Sequence, residues 1–325
     1  MTEVEVPISV YHERTRSLFK RDYIAITRAD LAGGGSAGDD VNAPSAFVLL
    51  YRQSLATRWD VFGLDFSQDH IDWAHDVTAD ERDSFLGIAA SFLHGASQLE
   101  ADLPAFMIGA AEEHKLHLAA QVEAQARHTV FLGRFFREAV GVQVADVTAM
   151  LDETFPLAQE TFVGPFGLLA FQADEVRRNP ADVRARVRYA TTCFLWIQGV
   201  LATSFLSVLM GFAAGRALLP TFLDGAWATY TDHTRHLRGG LIFLQDALRR
   251  DPTVVSEIHD TLRTILTISG VSSRSYFHEP LGWSEDEMRL LVCSSLRRRC
   301  DELGLALTPD LERLLVPVEQ KARGG

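Results

Sequence analysis

The sequence predicts an all-α protein, and three observations carry the prediction. Apolar residues recur at three- and four-residue intervals over several long stretches. No stretch alternates with period two for long enough to form a sheet. Capping residues stand where the periodic stretches begin and end. With 325 residues, 47% of them hydrophobic, the chain can bury a substantial core, which excludes disorder of the chain as a whole.

Residues 1–45 read as an N-terminal arm ending in a glycine-rich loop over 32–44, and the opening 14 residues are too charged for a secretory signal. The capping box Thr78-Ala-Asp-Glu81 starts a long helix in which Phe85, Ile88, Phe92, Ala96, Leu99 and Leu103 share a face, ending near Pro104 or a turn beyond. A second helix is predicted over about 110–140, stopped by Gly141, with Leu118, Gln121, Gln125, His128 and Leu132 on one side. Shorter helices fill 145–176. A long apolar helix follows over about 182–215, then one over 224–250 that stops before Pro252, and two more over about 253–268 and 284–303.

Two long helices, a crossover of shorter ones and two further long helices describe a ferritin-like four-helix bundle with additional helices. The bundle is expected over 46–276 and a C-terminal helical extension over 277–325. The net charge of −12 offers no basic field, so nucleic acid is not an expected partner. Cys193, Cys293 and Cys300 form no paired framework, which suits a reducing, cytoplasmic location. The uncharged run over 190–215 is long enough to cross a bilayer. Gln198 and the hydroxyls of Thr191, Thr192, Thr203 and Ser204 favour instead the central helix of a large bundle, and no membrane partner is expected.

Two helices carry polar pairs three residues apart on otherwise apolar faces: Gln125 with His128, and His233 with His236. Side chains at that spacing point the same way, and Gln198 lies midway along the uncharged helix, so all five can converge in the core. Unpartnered, each would cost a few kcal/mol, about the penalty for a buried polar group without a hydrogen bond. They require each other, a ligand or a metal.

These pairs, with the aromatic segment over 59–73 and the helix start over 78–83, make the chain resemble ferritin-like di-iron and manganese/iron proteins. It is most similar to the ribonucleotide reductase small subunit and the related ligand-binding oxidases. The resemblance covers roughly 46–250. It implies a metal-dependent oxidase or oxygenase, a homodimer, an apolar small-molecule ligand, an Asp232 that bonds the metal-ligating His128, and an electron route through Trp59 and Asp232. It also implies what is missing. The positions that supply carboxylates read Ala96, Gln125, Gln198 and His233. The radical tyrosine position is Leu132, and the residues that form an ether cross-link in the oxidases fall at Cys193 and Leu99. The C-terminal residues lack the small subunit's docking tail, so ribonucleotide reduction is not expected.

Without carboxylates a conventional dinuclear centre is disfavoured, because its charge would stand uncompensated in a low-dielectric core. His128, His233 and His236 suit one transition metal, iron, copper or zinc, with Gln125 and Gln198 nearby. Glu100, one turn beyond Ala96, is a possible substitute ligand. Phe92, Ala96, Leu99, Phe131, Cys193 and Phe194, with Phe135 and Phe205, are expected to line an apolar pocket. His114 and His117 stand among Glu112, Glu113 and Lys115 and read as a solvated face.

Two alternatives remain open. In one the chamber is a metal-free Gln/His network in a ligand-binding or regulatory protein. In the other, histidine and Asp232 act as acid and base without a metal.

Overall fold

A computed structural model describes residues 45–158, 160–269 and 276–315, and no strand occurs among them. The helices are α1 (Ala46–Ala56), α2 (Ser67–His75), α3 (Ala79–Met107), α4 (Glu112–Arg134, continued by a π turn over Phe135–Val140), α5 (Val147–Thr154), α6 (Glu160–Arg178), α7 (Val183–Arg216), α8 (Pro220–Arg250), α9 (Val255–Ile268), α10 (Glu285–Leu303) and α11 (Pro309–Leu314). The expected arm lies outside the described residues except for Ser45, which caps α1. The C-terminal residues compared with a docking tail also lie outside them.

Short connections make α3 and α4 antiparallel neighbours, and likewise α7 and α8. The long connection between the pairs carries α5 and α6, as the ferritin-like reading requires. Thr78 and Glu81 form the expected capping box on α3, which runs through Pro104 to Met107. Gly141 closes the second helix with φ of +92°, a conformation that a side chain would strain. Asp182 caps α7, and Ser284 with Glu287 caps α10.

The uncharged stretch of α7 is entirely buried within the fold, as the central-helix reading requires. Over Thr191–Ala202 it winds as a π-helix, whose extra residue per ring re-aims its side chains. The start of α8 is fixed from α2. Asp69 accepts from the backbone N–H groups of Thr221 and Phe222 at 2.9 and 2.7 Å, and Asp72 accepts from that of Leu219 at 2.8 Å. These bonds satisfy donors that a helix N-terminus leaves open. They also hold in place the helix that carries His233 and His236.

The surface expected around His114 and His117 is corrected by the structure. Both side chains are buried, at 4% and 1% exposure. The α1 helix packs over this end of α4, and Phe47 stacks on the His114 ring at 3.9 Å. Gly239 of α8 lets the helices close until a Cβ there would stand 2.2 Å from His117 Nε2. Glu112 and Lys115 pair on the outer face, so the charged neighbours mark the opposite side of the helix.

Candidate functional site

The inner faces of α4 and α8 bring the three predicted imidazoles together. The His128 and His233 ring centroids are 5.2 Å apart, His233 and His236 are 5.8 Å apart, and His128 and His236 are 6.4 Å apart, all buried. The Gln125 amide lies between two of them, with Oε1 3.4 Å from His128 Nδ1 and Nε2 3.5 Å from His236 Nδ1. His233 Nδ1 is buried without a hydrogen-bond partner. Gln198, on the π segment of α7, donates to Cys193 Sγ at 3.6 Å, and its Oε1 is likewise buried without a partner.

Asp232 anchors the outer side of this group. Its Oδ2 lies 3.1 Å from His128 Nε2 and accepts from Trp59 Nε1 at 3.0 Å and from Arg127 at 3.3 Å. Its Oδ1 accepts from Arg235, which also donates to Thr57 Oγ1 at 2.8 Å. Burial raises the Asp232 pKa, but the hydrogen bond from His128 and the positive charge around it outweigh that and hold the carboxyl well below its usual range. Burial pushes His233 down to about 3, with His128 adding to the effect and Asp232 opposing it. Burial also holds His236 well below its ordinary value. Both rings are therefore neutral near pH 7, the form in which imidazole binds a metal.

The Trp59 ring stacks against His128 at 6.4 Å with 17° between the planes. It also borders a surface groove of about 470 Å³ lined by Arg58, Asp60, Phe62, Glu123 and Arg127. Trp59, Asp232 and His128 thus form a contact chain from that groove to the core.

Beside the histidines lies a cavity of about 20 Å³, room for about one water molecule. Gln125, His128, Thr229 and His233 meet Phe92, Gly95, Ala96, Leu99 and Leu132 there. Phe162 and Phe166 of α6, with Ile197 and Ala202 of α7, complete the apolar wall. Of the expected pocket residues, Phe92, Ala96 and Leu99 line it. The others belong to the packed core. Phe131 stands against Trp59, Phe66 and Phe222, and Phe194 against Phe106 and Tyr189. Cys193 contacts Gln198, Phe135 sits among Phe85 and Phe222, and Phe205 packs on Phe162. The α6 residues were not anticipated, because the crossover that carries them offers no polar marker in sequence. Glu100 does not enter the chamber and instead accepts from Thr129 Oγ1.

Among the described residues no group of three or more His, Cys, Asp or Glu side chains stands in metal-binding geometry. Among the described residues the cavity lining contains no carboxylate, and Asp232 is committed to Trp59, His128 and two arginines.

The fold defines the class of protein first: this is a ferritin-like helical bundle. No family model matches the chain. Its structural neighbours are R2-like ligand-binding oxidases, fold relatives of the ribonucleotide reductase small subunit. One is a variant with an aerobically reconstituted Mn/Fe cofactor, with a TM-score of 0.70 and 21% identity over 83% of this chain and 96% of that one. The same oxidase with an aerobically reconstituted metal cofactor after photoconversion gives 0.70 and 21% over the same shares. Another variant, with anaerobically reconstituted Mn/Fe, gives 0.70 and 22% over 83% and 96%. The donor set among the described residues does not fit such a dinuclear cofactor, because two multivalent cations would face neutral amides and imidazoles with no carboxylate among the described lining residues.

Proposed function

We propose that the chain is an oxidoreductase of the oxidase or oxygenase type, holding one transition metal ion between His128, His233 and His236 and acting on a compact apolar molecule. One observation carries this reading. His128 Nδ1 stands 3.4 Å from Gln125 Oε1 while its Nε2 faces Asp232 at 3.1 Å, so in the tautomer that donates from Nε2 two acceptors would face each other. A shared cation would resolve that contact, and His233 Nδ1, on the cavity wall, offers a further unpartnered donor atom. A metal bound by all three imidazoles at about 2.0–2.1 Å would require the rings, 5.2, 5.8 and 6.4 Å apart, to draw closer together.

Iron or copper in that position would supply dioxygen activation. The protein residues do the remaining work. Asp232 fixes the His128 tautomer, Trp59 links that carboxylate to the surface groove as an electron route, and the apolar wall excludes water from the substrate. Phe162 and Phe166 of α6 are among the apolar wall residues that the substrate would meet.

The test is metal content after native purification. One equivalent of iron or copper, absent from a His233→Ala variant of unchanged helicity, supports the reading. The Gln125 amide favours a second, metal-free reading. Turned by 180°, it would donate to His128 Nδ1 and accept from His236, completing the network without an ion. Metal-free protein whose melting temperature is unmoved by chelator then identifies a ligand-binding or regulatory protein. Turnover that survives exhaustive chelation identifies acid–base chemistry by histidine and Asp232. The homodimer and the cytoplasmic location remain part of the proposal, checked by sedimentation and by fractionation.

A further inference from the structure

The buried pair His114 and His117 stands apart from the three histidines of the candidate site, and α1 covers it. Phe47 of α1 lies flat on the His114 ring, with 3.9 Å between centroids and 16° between planes, and stands 6.2 Å from the His117 ring. Phe106 of α3 and Phe243 of α8 flank His114 at 5.8 and 6.1 Å. His117 Nε2 meets the Gln121 amide at 2.7 Å, while His114 Nε2 and His117 Nδ1 are buried without a partner. A neutral ring tolerates this enclosure. A protonated one would carry a charged N–H that nothing accepts.

The charges facing the pair are positive. Arg186 of α7 acts on His114, Arg235 of α8 acts on His117, and His117 acts on His114. On α4 itself Glu112 and Lys115 pair on the outer face and Glu113 is exposed, while α1 contributes Phe47 and holds its Arg52 in solvent. The cover is thinly attached, since Leu50 is the one α1 residue that is fully buried. The chain just after α1 is tied down three times. Thr57 accepts from Arg235 at 2.8 Å, Arg58 pairs with Glu123 at 3.1 Å, and Trp59 donates to Asp232 at 3.0 Å.

We propose that α1 is an acid-released strap, which swings out about Thr57 as His114 and His117 take up protons and leaves the bundle beneath it folded. Closed, burial and the neighbouring positive charges hold both rings at about 3. Open, they titrate near 6.5. The closed form is therefore fully favoured above about pH 6.5 and loses ground as the pH falls toward 3. At pH 5 each ring favours opening by about 30-fold, and the pair by about 1000-fold. Release uncovers the apolar surface made by Leu50, Phe106 and Phe243, while the bonds at 57–59 keep Trp59 seated on Asp232. The strap does not depend on a metal at the candidate site.

Amide hydrogen exchange of the full-length protein, followed by mass spectrometry from pH 8 to pH 5 and corrected for the intrinsic rate, tests it. The expected result is a rise of up to about 1000-fold in the opening equilibrium of 46–56, while α3 and α7 keep their protection. His114→Gln should limit the rise to about 30-fold, the share of the remaining ring. Phe47→Leu, which thins the cover and keeps both histidines, should move the opening to higher pH. The wild-type series decides the matter even where a variant fails to fold. A rise of less than about tenfold over 46–56, an equal loss of protection in α3 and α7, or an undiminished rise in His114→Gln overturns the proposal.

Discussion

The carboxylate of Asp232 stands 3.1 Å from the outer nitrogen of His128, on the neighbouring helix. That contact orients the ring and joins α4 to α8. It also gives Arg127 and Arg235 a shared counter-charge inside the bundle. Replacing Asp232 by Asn keeps the shape and removes the charge. The expected cost is about 3–5 kcal/mol, the range for removing one partner of a buried pair. Urea denaturation measures it, and a loss within experimental error would show the cluster to be solvated.

Acid should destabilise the protein from an unusually high pH. Burial pushes His114 and His117 down to about 3, helped at His114 by His117 and Arg186 and at His117 by Arg235. In the unfolded chain both titrate near 6.5. Their contribution is therefore intact above about pH 6.5 and falls as the pH drops toward 3, because only the unfolded state takes up the protons. Each histidine contributes a slope of about 1.4 kcal/mol per pH unit across that window. Melting curves between pH 7 and 5 should shift steeply, and His117→Gln should flatten the dependence.

Asp69→Ala removes the acceptor for two N–H groups at the start of α8. Loss of such a cap costs about 1–2 kcal/mol. Burial raises the Asp69 pKa against the opposing backbone bonds from Thr221 and Phe222, so Asp69→Asn, which retains an acceptor without a buried charge, should cost less than Ala. Thermal melts of the two variants give the comparison.

A Cβ at Gly225 would lie 2.2 Å from the Phe131 ring. Gly225→Ala should therefore destabilise by about 1–3 kcal/mol, the usual cost of overpacking. Phe131→Leu in the same chain should recover part of that loss. Additive effects in the double-mutant cycle would mean that the two side chains do not meet.

Much of the fold is legible in sequence because caps and apolar periodicity are local. Thr78 and Gly141 mark helix ends where they are found. The pairing of His128 with His233 and His236 is legible because i, i+3 spacing forces side chains onto one face. Non-local facts escape that logic. The π winding over 191–202 has no composition of its own, and it helps decide why Cys193 meets Gln198 while Ile197 and Ala202 reach the cavity. The burial of His114 and His117 depends on α1, distant in sequence, and the local charges pointed the other way. The register held the signal: 114, 117, 121, 125 and 128 follow one helical stripe.

The wide winding of α7 also makes the helix unusually tolerant in one respect. Each of its hydrogen-bonded rings contains one residue more than an α ring. Deleting a single residue there could tighten the coil without breaking it, while rotating every later side chain to a new bearing. A lineage could thus retune which groups face the histidines in one mutational step, leaving the surrounding bundle standing.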